Sequence, residues 1–249
     1  GSSARAGLMD VRAQALVDGA RSSAGESLPS ADVPADGLTH LTRPAAGKPE
    51  GLLVLFHGRG ADERDLYPLL DLLDPKRRLL GVTPRGPLSL PPGGAHWYAV
   101  REIGYPDPAT FIETFARASS WLDDVASSAG LGWERTVLGG FSQGAVMSYA
   151  LGLGAGRPRP AGIVGLSGFM PNIPGFELDL SSPLPRAALA HGALDPVISV
   201  DWSRQAHERL RTAGADVVYA ESPRMGHSID PDVLGWLPGW IADTVGIAA

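Results

Sequence analysis

Three side chains of types suited to covalent acyl chemistry follow one another along this chain: Ser142, Asp195 and His227. Ser142 stands in Gly140-Phe141-Ser142-Gln143-Gly144, after the apolar run Thr136-Val137-Leu138 and before Ala145 to Leu151, which can continue as a helix. A strand that turns sharply into a helix around a serine passes backbone against backbone, so the residues two before and two after must be small. Gly140 and Gly144 meet that need. The turn exposes the hydroxyl at a sheet end and sets the backbone N–H of Gln143 at the positive end of a helix, where an oxyanion can be held.

A serine of ordinary acidity is a poor nucleophile, so it needs a base, and the base needs a carboxylate to fix its tautomer. On a sheet of this kind the order is serine, acid, histidine. Asp195 follows a predicted strand in His191-Gly192-Ala193-Leu194-Asp195-Pro196-Val197, and His227 lies in Met225-Gly226-His227-Ser228, between the last predicted strand and the last helix. Each has a plainer reading, Asp195 as a turn former before proline and His227 as a loop decoration. Their shared order with the serine, each at a strand end, favours the chemical one. His40 and His207 read as surface positions and His96 as a loop residue. His57 and His191 end apolar strands and read as hydrogen-bonded structural residues. No histidine pair has the spacing of a zinc motif, so no metal is expected. A second oxyanion donor is expected in Phe56-His57-Gly58-Arg59-Gly60-Ala61-Asp62, where glycines let backbone amides approach a ligand, and the N–H of Arg59 is assigned to it.

The elements that must position these residues alternate. Strands are predicted at Leu38 to Thr42, Leu52 to Phe56, Leu79 to Thr83, Arg135 to Gly139, Gly162 to Leu166, Ala187 to His191 and Asp216 to Ala220. Continuous apolar runs such as Leu52-Leu53-Val54-Leu55-Phe56 mark strands buried on both faces. Helical spacing links Leu66, Leu69, Leu70 and Leu73, and again Phe111, Phe115, Ala118, Leu122 and Val125, with Gly130 as a stop. A helix is expected over Val200 to Ala213, and a last one capped by Asp230 with Pro231 in its first turn. The expectation is an α/β protein with a mostly parallel central sheet covered by helices on both faces, whose ligand sites lie beyond the strands' C-terminal ends. Residues 1–36 read as an appendage and 37–249 as one domain. Of three Pro/Gly-rich loops, Pro84 to Gly94 and Pro171 to Pro185 are expected to wall the cleft, and Gly154 to Pro160 to connect.

Composition narrows the classes further. The chain has 249 residues, 44% of them hydrophobic, enough for a large core. Its formal charge of -6 argues against a nucleic-acid partner, which demands clustered Lys and Arg. With no cysteine there is no thiolate nucleophile or thiolate metal site. No run approaches the roughly 18 apolar residues of a membrane span, so a soluble cytoplasmic protein, monomer or homodimer, is the default expectation.

In their order and on these elements, HGRGAD, GGFSQGA, HGALDPV and GH resemble the phospholipase/carboxylesterase family of α/β-hydrolases, over about residues 37 to 245. The resemblance implies a Ser142, Asp195, His227 triad, an oxyanion hole from the Arg59 and Gln143 backbones, and cofactor-free hydrolysis of small-molecule carboxylic esters or thioesters. An acyltransferase on the same triad and a non-catalytic ligand-binding homologue are the rival readings. Trp97, beside Tyr98, resembles the family's acyl-site border. Phe169 and Met170 follow another strand at the same edge, and with Gly58 these are the expected substrate contacts. Where the family usually has leucine in HGLG, this chain has Arg59, which would bring a permanent positive charge to the cleft mouth and select anionic substrates.

Overall fold

The computed structural model describes residues 37–247. The expectations for residues 1–36 (a short helix from Met9 to Ala20, a polar loop from Ser22 to Pro34) lie outside them, as do the last two residues. In chain order the strands are β1 (His40–Arg43), β2 (Leu52–Phe56), β3 (Leu80–Pro84), β4 (Leu88–Leu90), β5 (Gly94–His96), β6 (Val100–Glu102), β7 (Tyr105–Pro106), β8 (Thr136–Phe141), β9 (Gly162–Leu166), β10 (Arg186–Gly192) and β11 (Val217–Ser222). The helices are α1 (Leu69–Leu73), α2 (Pro108–Ala129), α3 (Gln143–Leu153), α4 (Val200–Thr212) and α5 (Pro231–Thr244). Seven strands form one sheet in the order β1-β3-β2-β8-β9-β10-β11, parallel except for β1, which runs antiparallel to β3.

Alternation along buried strands divides the core in two. Leu53 and Leu55 face α1 and α5, packing with Leu69, Leu70, Leu237 and Ile241. Leu52, Val54 and Phe56 face the other way, against α2 and α3 through Phe111, Leu122, Val146 and Met147. Helix α4 covers the far end of that second face, with Ala206 and Leu210 against Ala187 and Leu189. A period-2 strand buried on both sides needs helices on both sides, and it has them. Caps fall where the sequence puts them: Asp107 accepts from the Thr110 N–H, Gly130 ends α2 in the left-handed region, and Asp230 accepts from the Asp232 N–H.

Two regions depart most from the sequence expectation. The leucine spacing suggests a helix from Leu66, but α1 begins at Leu69, because Pro68 disfavours helical backbone in the residue before it, and the Leu66 and Tyr67 carbonyls accept only turn bonds from the Leu69 and Leu70 N–H groups at 3.0 and 3.1 Å. The segment between β3 and α2 is not plain loop. It folds into two small antiparallel pairs, β4 with β5 and β6 with β7. Strands of two or three residues leave no measurable period.

Candidate active site

Ser142 sits between β8 and α3 with φ 56° and ψ -119°, a backbone conformation in which a residue with a Cβ is strained. The neighbouring glycines show how tightly the turn is built. A Cβ at Gly140 would stand 2.3 Å from the Gly144 carbonyl carbon, and one at Gly144 would stand 1.8 Å from the Phe56 carbonyl oxygen. Only glycine lets the elbow lie against β2. The Ser142 N–H donates to the Leu166 carbonyl at 2.9 Å, which fixes the turn to β9.

The structure brings Ser142, Asp195 and His227 together from three strand ends. His227 Nε2 lies 2.9 Å from Ser142 Oγ, and His227 Nδ1 lies 2.7 Å from Asp195 Oδ2. A carboxylate can only accept, so Nδ1 carries the proton and Nε2 presents a lone pair to the hydroxyl. Asp195 is itself held: its Oδ1 accepts from the Val197 and Ile198 N–H groups at 2.8 and 2.9 Å. Burial works against charge on Asp195, but hydrogen bonds from His191, His227 and the Ile198 backbone outweigh it and hold the carboxyl well below the usual range. The carboxylate is therefore ionised wherever the protein is folded near neutral pH.

Several supporting residues were not singled out for this work by sequence reasoning. His191, wholly buried, donates from Nε2 to the Ile198 carbonyl at 2.9 Å and lies 3.2 Å from Asp195 Oδ2, so two imidazoles flank one carboxylate oxygen. The four-residue step from His191 to Asp195 across a strand end is the signal that could have found it. Ser167, after β9, donates to the Ser228 carbonyl at 2.9 Å and fastens the loop next to His227. The Gln143 side chain accepts from the Trp97 N–H at 3.0 Å and donates to the Tyr98 carbonyl at 3.1 Å, pinning the segment after β5 to the elbow.

Arg59 follows β2 in a turn stabilised by Ala61 N–H to Gly58 carbonyl at 3.3 Å and Gly60 N–H to Ala95 carbonyl at 2.8 Å. The backbone N–H groups of Arg59 and Gln143 donate to no protein acceptor among the described residues. Strands β2 and β8, which deliver them, are paired in register, Phe56 opposite Gly140. His57, beside the turn, is structural: Nδ1 donates to the Gly58 carbonyl at 2.7 Å and Nε2 accepts from the Gly86 N–H at 2.9 Å. Burial pushes its imidazole down to about 4.

A cavity of about 480 Å³ opens onto Ser142 and Gln143, walled by Arg59, Tyr98, the β6–β7 hairpin, Phe169 and Pro196 to Ile198. A second cavity of about 320 Å³ adjoins it through Gly104, Tyr105 and Phe169 and is lined by Met170 and Trp202. Five expectations need correction here. Trp97 is fully buried behind the wall, its Nε1 donating to the His57 carbonyl at 2.8 Å, because an indole in this position packs on Phe56 and finds a backbone acceptor. Gly58 turns its carbonyl into the loop and does not line the cleft, and Met170 lines the adjoining cavity instead. The Pro84 to Gly94 loop is not part of the wall; Tyr98 and Val100 to Pro106, just beyond it, are. The Pro171 to Pro185 loop mostly packs on the core, with Phe176 on Phe111 and Phe115 at ring distances of 5.1 and 4.9 Å and Leu178, Leu180 and Leu184 on the cluster of Tyr149 and Leu153; of this loop only Asn172 lines the adjoining cavity.

The profile of the Phospholipase/Carboxylesterase family matches residues 40–244. Acyl-protein thioesterase 1 of Gibberella zeae is 27% identical over 218 residues, spanning 79% of this chain and 92% of that protein. Lysophospholipase-like protein 1 of Mus musculus is 27% identical over 139 residues, 55% of this chain and 58% of that protein. Among solved structures, esterase PE8 superposes with a TM-score of 0.73 at 28% identity, covering 84% of this chain and 99% of that one.

Proposed function

The chain belongs to the phospholipase/carboxylesterase family and is a carboxylic ester hydrolase of the α/β-hydrolase fold, and from that premise we propose that Ser142, His227 and Asp195 carry its chemistry. The reading is supported chiefly by the continuous hydrogen-bonded line from Asp195 Oδ2 through His227 to Ser142 Oγ, at 2.7 and 2.9 Å, beside two undonated backbone N–H groups.

Reaction proceeds in two halves. His227 Nε2 takes the proton from Ser142 Oγ as that oxygen attacks the ester or thioester carbonyl. Negative charge collects on the carbonyl oxygen, where the N–H groups of Arg59 and Gln143 receive it; losing one such donor typically costs about 3 to 4 kcal/mol of transition-state stabilisation. Asp195, already ionised, stabilises the imidazolium without taking its proton. The imidazolium then protonates the departing alcohol or thiol, leaving an acyl-serine. Water enters, gives its proton to His227, attacks the acyl carbon and releases the acid as Ser142 recovers its hydrogen. A cavity of about 480 Å³ suits small or medium acyl groups.

Replacing Ser142 with alanine is the direct test. Turnover of p-nitrophenyl butyrate and labelling by a fluorophosphonate probe should both be lost, with circular dichroism unchanged. Retained labelling would place the nucleophile on another residue.

A further inference from the structure

Arg59 lines the cleft that opens onto Ser142 and forms no ion pair among the described residues. The arginines close to it in sequence and along the rim are neutralised: Arg64 pairs with Glu63, Arg85 with Glu63 at 3.1 Å and Asp62 at 3.6 Å, and Arg101 with Asp107 at 3.3 Å. Arg59 is half-buried, lines the cavity that opens onto Ser142, and has a buried Nε that meets no protein acceptor. Among the described residues it takes part in no ion pair or side-chain hydrogen bond. A guanidinium is charged at every working pH and offers its donors in a fixed fork that fits carboxylate and phosphate oxygens. A buried donor without a protein acceptor is unfavourable, and an anionic group bound in the cleft would supply the acceptor.

We propose that Arg59 makes this cleft selective for esters carrying a second, anionic group, a carboxylate or a phosphate, a few bonds from the scissile carbonyl. The inference rests on the assignment of Ser142 as nucleophile. It also follows from where Arg59 starts. With its backbone N–H proposed as an oxyanion donor, its side chain can reach only groups within one arginine length of the reacting carbon. The fork then pairs the anion in a partly desolvated cleft, where a charge-assisted bond is stronger than in water. Nearby Val100, Ile103 and Phe169 supply the apolar remainder for the short carbon skeleton between the two ends.

The experiment compares kcat/KM for p-nitrophenyl butyrate with two anionic partners: mono-p-nitrophenyl glutarate, which carries its charge on the acyl side, and the butyryl ester of 4-hydroxyphenyl phosphate, which carries it on the leaving side. The readout is the ratio of anionic to neutral ester for wild type, Arg59→Leu and Arg59→Lys. In at least one arm the Leu variant should lower that ratio roughly 10- to 100-fold, the size of a lost charged hydrogen bond, with the Lys variant between the two. The responding arm tells which end of the ester the guanidinium holds. If butyrate is turned over in a Ser142-dependent way but both ratios are the same in wild type and Arg59→Leu, anion selection by Arg59 is overturned while the nucleophile stands. If Ser142→Ala still turns over butyrate, the nucleophile assignment fails and this inference with it.

Discussion

Asp195 makes more hydrogen bonds than a turn-forming aspartate needs: two backbone amides on one oxygen, His227 on the other, and His191 close beside it. Its charge and orientation are thus fixed before substrate arrives. Asp195→Asn puts an amide against the His227 Nδ1–H and favours the wrong tautomer, so kcat should fall about 10³- to 10⁴-fold with the fold intact; a loss below tenfold in p-nitrophenyl acetate assays would remove the orienting role. His57 gives a different pH signature. Its pKa is about 4 folded against 6.5 in the open chain, so on acidification the unfolded state binds the proton first and stability falls between those values. The full difference is on the order of 3 kcal/mol. Urea midpoints between pH 7 and pH 4 should therefore drop more steeply for wild type than for His57→Gln. At this scale the types and order of Ser142, Asp195 and His227, which the structure brings together, and the elbow glycines were legible in the chain, because each obeys a local rule. Trp97 was not, since whether a loop aromatic faces a cleft or the core is decided by packing from distant residues such as Phe56.

The elements succeed or fail on backbone clearance. Gly144→Ala drives a methyl group into the Phe56 carbonyl, 1.8 Å from an ideal Cβ. Strand β2 and helix α3 cannot both stay, and the cost should reach about 3 kcal/mol or more in denaturant unfolding. Gly235, exposed inside α5, is the counterpart: a Cβ added there would meet nothing within 4 Å. Gly235→Ala should raise stability by about 0.5 to 1 kcal/mol, read as a higher urea midpoint, through helix propensity and a more restricted unfolded chain. Strands β2 and β9 were readable to the residue from their unbroken apolar runs. The start of α1 was not, since the leucine spacing runs on through Pro68 without marking the break, and the pieces β4 to β7 were too short to carry a pattern.

Across the molecule, the antiparallel edge strand β1 is tied to the sheet's helical cover by one buried arginine. Arg43 is fully buried and donates to Asp74 Oδ2 at 2.5 Å, to the Leu70 carbonyl at 2.8 Å and to the Leu79 carbonyl at 2.7 Å. Arg43→Met would leave the buried Asp74 carboxylate on the Arg78 and Leu79 N–H groups, without its buried counter-charge, and thermal and urea unfolding should show a loss of about 3 to 5 kcal/mol. The sheet, with helices on both sides, followed from alternation alone; the single antiparallel edge did not, because four residues of β1 carry no mark of direction. The excursion from residue 85 to 107 adds nothing to the main sheet, yet it supplies Tyr98 and Val100 to Pro106 of the cleft wall and is moored to the elbow by the Gln143 amide. This part of the cleft wall is thereby separate in the chain from the strand ends that hold Ser142, Asp195 and His227. A transplant of that short stretch from a relative, with both moorings kept, would alter which molecules are admitted and leave untouched what is done to them.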